Sequence, residues 1–102
     1  MGFFSKKKCD VAKLKAMITA EMESFIRERF MLSEVELEVS EHSQGIDILF
    51  RFVKKDLSSI KKKISYQIKL KDLEGKYEET VFSEVKNGLA KLVQVRLDEM
   101  TG

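Results

Sequence analysis

Two runs of alternating residues between Glu34 and Val53 set the pattern of this chain. Val35, Leu37 and Val39 alternate with Glu34, Glu36, Glu38 and Ser40; Ile46, Ile48, Phe50 and Phe52 alternate with Asp47, Leu49, Arg51 and Val53. A period of two puts each apolar set on one face of a β-strand. The break between the runs, Glu41-His42-Ser43-Gln44-Gly45, is polar and ends in the residue that best tolerates a positive φ. The pair therefore predicts a β-hairpin. Leu49 and Val53 make the second strand apolar on both sides, which suggests a central strand with these two side chains facing outward, where they could meet another protein.

Helical spacing precedes the hairpin. Val11, Leu14, Ile18, Met22, Phe25, Ile26 and Phe30 recur three and four residues apart, Asp10 suits the N-cap, and the helix is expected to end near Met31. Met17, Met22 and Met31 read as gap-filling core residues, and Glu23 and Arg27 can pair across one turn. After the hairpin, Lys54 to Lys63 reads as a polar connection, a loop or a single helical turn, with Lys54, Lys55, Lys61, Lys62 and Lys63 around Leu57 and Ile60.

Alternation returns with Ile64, Tyr66, Ile68 and Leu70 against Ser65, Gln67, Lys69 and Lys71. Asp72-Leu73-Glu74-Gly75-Lys76 then resembles a hairpin loop leading to a fourth strand, Tyr77 to Phe82. The competing reading starts the last helix at Lys76, because Tyr77, Val81 and Val85 also keep a four-residue spacing. From Ser83, a suitable N-cap, Val85, Leu89, Leu92, Val93, Leu97 and Met100 form a helical stripe, within which Gly88 is expected to allow close packing on the sheet.

These elements predict an α+β two-layer sandwich: a helix, three or four antiparallel strands in a meander, and a helix, with both helices on one sheet face. Residues 1–9 form a flexible N-terminal tail and 10–102 a single α+β domain. The covered face should carry the odd-numbered apolar residues of the first strand, the even-numbered ones of the second, and Ile64, Tyr66, Ile68 and Leu70 of the third. Glu34, Glu36 and Glu38 then lie on the opposite face, with Arg51, Lys69 and Lys71 as their cross-strand partners.

Composition narrows this picture. A chain of 102 residues has room for about one hydrophobic core. The formal charge of +2 is small for so many ionised groups, unlike the basic excess of a dedicated DNA-coating protein. No apolar run approaches the roughly 18 residues of a membrane span, no signal peptide is recognisable, and the single cysteine, Cys9, excludes an internal disulfide. A cytoplasmic protein is expected.

Little in the sequence points to catalysis. Nucleophilic chemistry needs a hydroxyl or thiol beside a base, and the only histidine, His42, reads as a turn residue unconnected with Cys9. Glu34, Glu36, Glu38 and the pair Glu78-Glu79 read as solvated charge. Gly45, Gly75 and Gly88 are isolated, so no phosphate-cradling loop is recognisable. The expectation is no enzyme, no cofactor and no metal site.

Three local likenesses bear on function. The opening Met1-Gly-Phe-Phe-Ser-Lys-Lys-Lys-Cys-Asp-Val11 looks like the start of small bacterial zinc-ribbon proteins, but Ala12 stands where the second cysteine of a ribbon is needed. The predicted element order is similar to that of double-stranded-RNA-binding domains and, without a first strand, to ribosome hibernation factors, a likeness of topology. Where the first of these families has a lysine cluster at its last helix, this chain reads Ser83-Glu84-Val85-Lys86. A helix followed by a hairpin also loosely resembles bacterial division regulators of the MinE family, which implies strand-mediated dimerisation and a basic-aromatic start that meets membrane.

The expected function is therefore protein binding, self or other, as a small regulatory module with Leu49 and Val53 in the interface. The alternative is nucleic-acid binding, with Lys54, Lys55, Lys61, Lys62 and Lys63 on a phosphate backbone. A third reading is weak membrane-surface association through Phe3, Phe4 and Lys6 to Lys8.

Overall fold

The computed structural model describes residues 9–101, the side chain of Ser58 excepted. The predicted sandwich is present: α1 (Val11–Phe30), β1 (Glu34–His42), β2 (Gly45–Lys54), β3 (Ser58–Lys69), a short 3-10 turn at Leu70–Asp72, and α2 (Glu78–Thr101). The strands form one antiparallel sheet in the order β1-β2-β3. Residues Phe3, Phe4 and Lys6 to Lys8, on which the membrane reading rests, lie outside the described residues.

Local chemistry fixes the ends of α1. The Asp10 carboxylate accepts from the Lys13 N–H at 3.2 Å, which satisfies one of the free donors of the first turn. At the other end Met31 adopts φ 51° and the chain turns away, with Lys54 Nζ donating to the Phe30 carbonyl at 2.9 Å. Met22 is core, as expected, but Met31 is 78% exposed because it is the left-handed cap rather than a helix-face residue.

The hairpin register is regular from Glu34 opposite Val53 to His42 opposite Gly45. The turn itself is Ser43-Gln44, and the Gln44 N–H donates to His42 Nδ1 at 3.1 Å. Between β2 and β3 the register holds from Gly45 opposite Lys69 to Phe52 opposite Lys62, then breaks before Lys54 meets Ser58. At the break β2 contributes Val53 while β3 contributes Ser59, Ile60 and Lys61. The segment expected as a loop or helical turn is thus mostly strand, and only Lys55 to Leu57 connect β2 with β3.

Both helices pack on the same sheet face, α1 over β1 and α2 over β3. An odd number of strands in a meander returns the chain to its starting direction, so α2 runs parallel to α1. The helix starts lie side by side, the Asp10 N–H donating to Glu78 Oε2 at 2.7 Å, and further along Lys86 Nζ sits 4.5 Å from the centroid of the Phe25 ring. Leu14, Ile18, Met22 and Ile26 of α1 meet Val85, Leu89 and Val93 of α2 and Ile46, Ile48, Phe50 and Phe52 of β2 in one core. The Phe50 and Phe52 rings tilt together with centroids 5.9 Å apart.

The fourth strand does not form. Residues from Glu78 onward are helical, because Val81, Val85 and Leu89 continue one buried stripe back past Ser83, and Glu78 and Glu79 suit a first turn with free N–H groups. Asp72 to Lys76 is accordingly a connection into that helix rather than a hairpin loop. Leu70, expected under the helices, is 47% exposed in the 3-10 turn, and Leu73 enters the core instead. Cys9, read as the end of the tail, is also buried in the core.

Gly88 meets its expectation closely: a Cβ there would lie 2.7 Å from Tyr66 Oη and 2.8 Å from its Cε2. An alanine normally gains about 1 kcal/mol over glycine inside a helix, whereas crowding a packed ring costs about 1–3 kcal/mol. Gly88→Ala is therefore expected to lower stability by about 1 kcal/mol in urea denaturation. In a Tyr66→Leu background the same change should stabilise.

Candidate protein-binding face of the sheet

With the helices on one side, the other side of the sheet is left uncovered by the described residues. It carries Glu34, Glu36, Glu38 and Ser40 from β1, Asp47, Leu49 and Arg51 from β2, and Lys61, Lys63, Ser65 and Gln67 from β3. Charge is sorted by strand, acids on β1 and bases on β3. Arg51 on the central strand leans towards β1, its Nη1 lying 3.4 Å from Glu38 Oε2 and 3.6 Å from Glu36 Oε2. Lys61 reaches Glu36 Oε1 at 3.0 Å and, with Arg51, holds the Glu36 carboxyl below the usual carboxylate range. These pairs are solvent-exposed, so they orient the face more than they stabilise the fold.

The expected partners of the β1 glutamates are thus partly corrected. Arg51 pairs as anticipated, but Lys61 takes the place foreseen for Lys69 and Lys71. Register explains the exchange, since Lys69 lies opposite Gly45 at the far end of the sheet and Lys71 is beyond the last strand.

Leu49 is half-buried at the middle of this face, in register between Glu38 and Ser65. It shares a shallow depression of about 490 Å³ with Glu38, Ser40, Asp47, Ser65 and Gln67. Val53, the other proposed contact, is not available: it stands opposite Glu34 in the regular β1 register yet is 3% exposed, at the point where the pairing of β2 with β3 breaks.

The five lysines do not form one set. Lys54 is committed to the carbonyls of Phe30 and Met31, at 2.9 and 3.5 Å, and Lys61 to Glu36. Strand alternation puts Lys61 and Lys63 on the uncovered face and Lys62 on the helix side with Ile64, while Lys55 is exposed in the turn. His42 is likewise occupied. Its Nδ1 accepts from Gln44 and its Nε2 lies 3.1 Å from Asp47 Oδ2, so the ring locks the hairpin turn and neither nitrogen is left for a substrate.

The residue that sequence reasoning missed is Glu78, expected as solvated charge and 5% exposed. It joins the two helix starts through Asp10, and Lys13 Nζ lies 3.6 Å away. The signal was present, because Glu78 falls on the same helical stripe as Val81, Val85 and Leu89. Tyr66, at the contact with Gly88, has its hydroxyl pKa raised, first by burial and then by Glu84 and Asp72. Among the described residues no cluster of His, Cys, Asp or Glu could hold a metal ion, and no helix is long and apolar enough to cross a membrane. No family model, curated protein or solved structure matches the chain.

Proposed function

We propose that this protein is a small non-catalytic binding module that pairs with a second copy of itself through the uncovered face of the sheet. The observation that carries the reading is the sorting of charge about Leu49, with acids along β1 and lysines along β3. A two-fold axis along the strands would stack Leu49 on its counterpart and lay the β1 acids of each copy over the β3 lysines of the other. An axis across the strands would oppose like charges. Arg51, drawn aside by Glu36 and Glu38, leaves room near the axis. The single cysteine favours a reducing compartment, and we place the module in the cytoplasm.

Phosphate binding by the lysines between Lys54 and Lys63 receives less support, since they do not share a face: Lys54 is turned to the Phe30 carbonyl and Lys62 lies on the helix side of the sheet. Sedimentation equilibrium tests the main reading. Self-association should weaken at least about tenfold in Leu49→Lys, with the circular dichroism unchanged. A wild-type chain that stays monomeric at high concentration overturns the proposal.

A further inference from the structure

We propose that the free edge of β1 accepts an extended, basic segment of another protein as a fourth strand. Among the described residues β1 has a hydrogen-bonded neighbour only on the β2 side, so its other edge presents a row of main-chain donors and acceptors. Three features distinguish this edge from the one on β3. Its register is unbroken over its whole length, whereas β3 is irregular opposite Val53. It contains no lysine, proline or glycine, whereas β3 carries three consecutive lysines, Lys61 to Lys63, and Arg96 Nη2 lies 3.5 Å from the Lys63 carbonyl. Lysines and irregular pairing are the usual devices that keep an edge from pairing, and β1 lacks them.

Side chains specify the occupant. Val35, Leu37 and Val39 face the helices yet remain half-buried, so an added strand with aliphatic residues at alternate positions would complete their burial. On the opposite face Glu34, Glu36 and Glu38 stand in a column, which an incoming strand with Lys or Arg at its other alternate positions would match. A second β1 would bring another glutamate column beside the first. The edge therefore selects a partner in which basic and aliphatic residues alternate.

The test uses the full chain and the labelled heptapeptide Lys-Val-Lys-Leu-Lys-Val-Lys, followed by fluorescence anisotropy and amide hydrogen exchange. Saturable binding is expected, with exchange slowed at Val35, Leu37 and Val39, and about tenfold weaker affinity for a Glu34→Gln/Glu38→Gln variant that keeps the wild-type circular dichroism. The rearranged peptide Lys-Lys-Val-Leu-Val-Lys-Lys has the same charge without the alternation and should bind much less. Equal binding of both peptides, no binding of either, or protection outside β1 would each overturn the proposal.

Discussion

Gly45→Ala is expected to destabilise the protein by about 3 kcal/mol or more, a large part of the total for a domain of this size. Gly45 opens β2 at φ +146°, a conformation that side-chain-bearing residues rarely adopt. A Cβ built there would overlap the Ile68 carbonyl oxygen and stand 3.0 Å from its carbon, so the obstacle is backbone rather than a movable side chain. Relief would require β3 to move away from β2 at the end where Gly45 faces Lys69. The measurement is the urea midpoint followed by circular dichroism. Gly75 provides the control: its φ is +71°, but a Cβ there meets nothing within 4 Å, and Gly75→Ala should cost only about 1 kcal/mol. If the two substitutions cost the same, close backbone approach is not what Gly45 provides.

Phe50→Ala is expected to cost about 3–5 kcal/mol, since its ring is fully enclosed between the central strand and the two helices and the cavity left behind could collapse only in part. The residue before it in the chain behaves oppositely. Leu49 points to the uncovered face, and a lysine at that position should leave the fold intact while affecting self-association. Thermal denaturation of the two variants side by side thus tests which face of β2 is inside. Comparable loss of stability in both would mean that the helices do not cover only one face.

The parts of the fold that were legible in the sequence are those where one physical rule acts alone. Alternation in Glu34 to Ser40 and Ile46 to Phe52 specified two strands, their inward faces and the hairpin, because a strand covered on one side has to repeat every two residues. Asp10, Gly88 and the Glu23 to Arg27 pair, whose atoms lie 3.1 Å apart, were equally readable from local chemistry.

Sequence reading failed where two rules compete. Tyr77 to Phe82 fits a short strand and a helix start alike, and the helix forms because Val81 and Val85 can then join the core beside Leu89. Lys61 to Lys63 concealed a strand, as consecutive lysines erase the alternation that a partly solvated edge strand need not keep. A proposed interface residue, Val53, is buried beside the irregularity of β3, and no residue type at 52 to 54 announces it. Legibility of the candidate site was therefore partial: Leu49, Glu36 and Arg51 followed from alternation, while the role of Lys61 required the register.

Parallel helices give the molecule an electrical axis. In a pair of antiparallel helices the backbone dipoles largely cancel, but here both positive ends lie together at Asp10 and Glu78, and both negative ends at the opposite extremity. The side-chain charges follow this axis at the two helix starts and at the end of α1, whereas the last turn of α2 has no base and carries Asp98 and Glu99. Asp10, Glu78 and Glu79 gather at the first end, and Lys54, Arg27 and Arg29 attend the last turn of α1. Lys54, the last residue of β2, is carried to that same extremity, where its Nζ meets the Phe30 carbonyl at the negative end of α1, so the strand count of three decides which helix ends the sheet's own cations can reach.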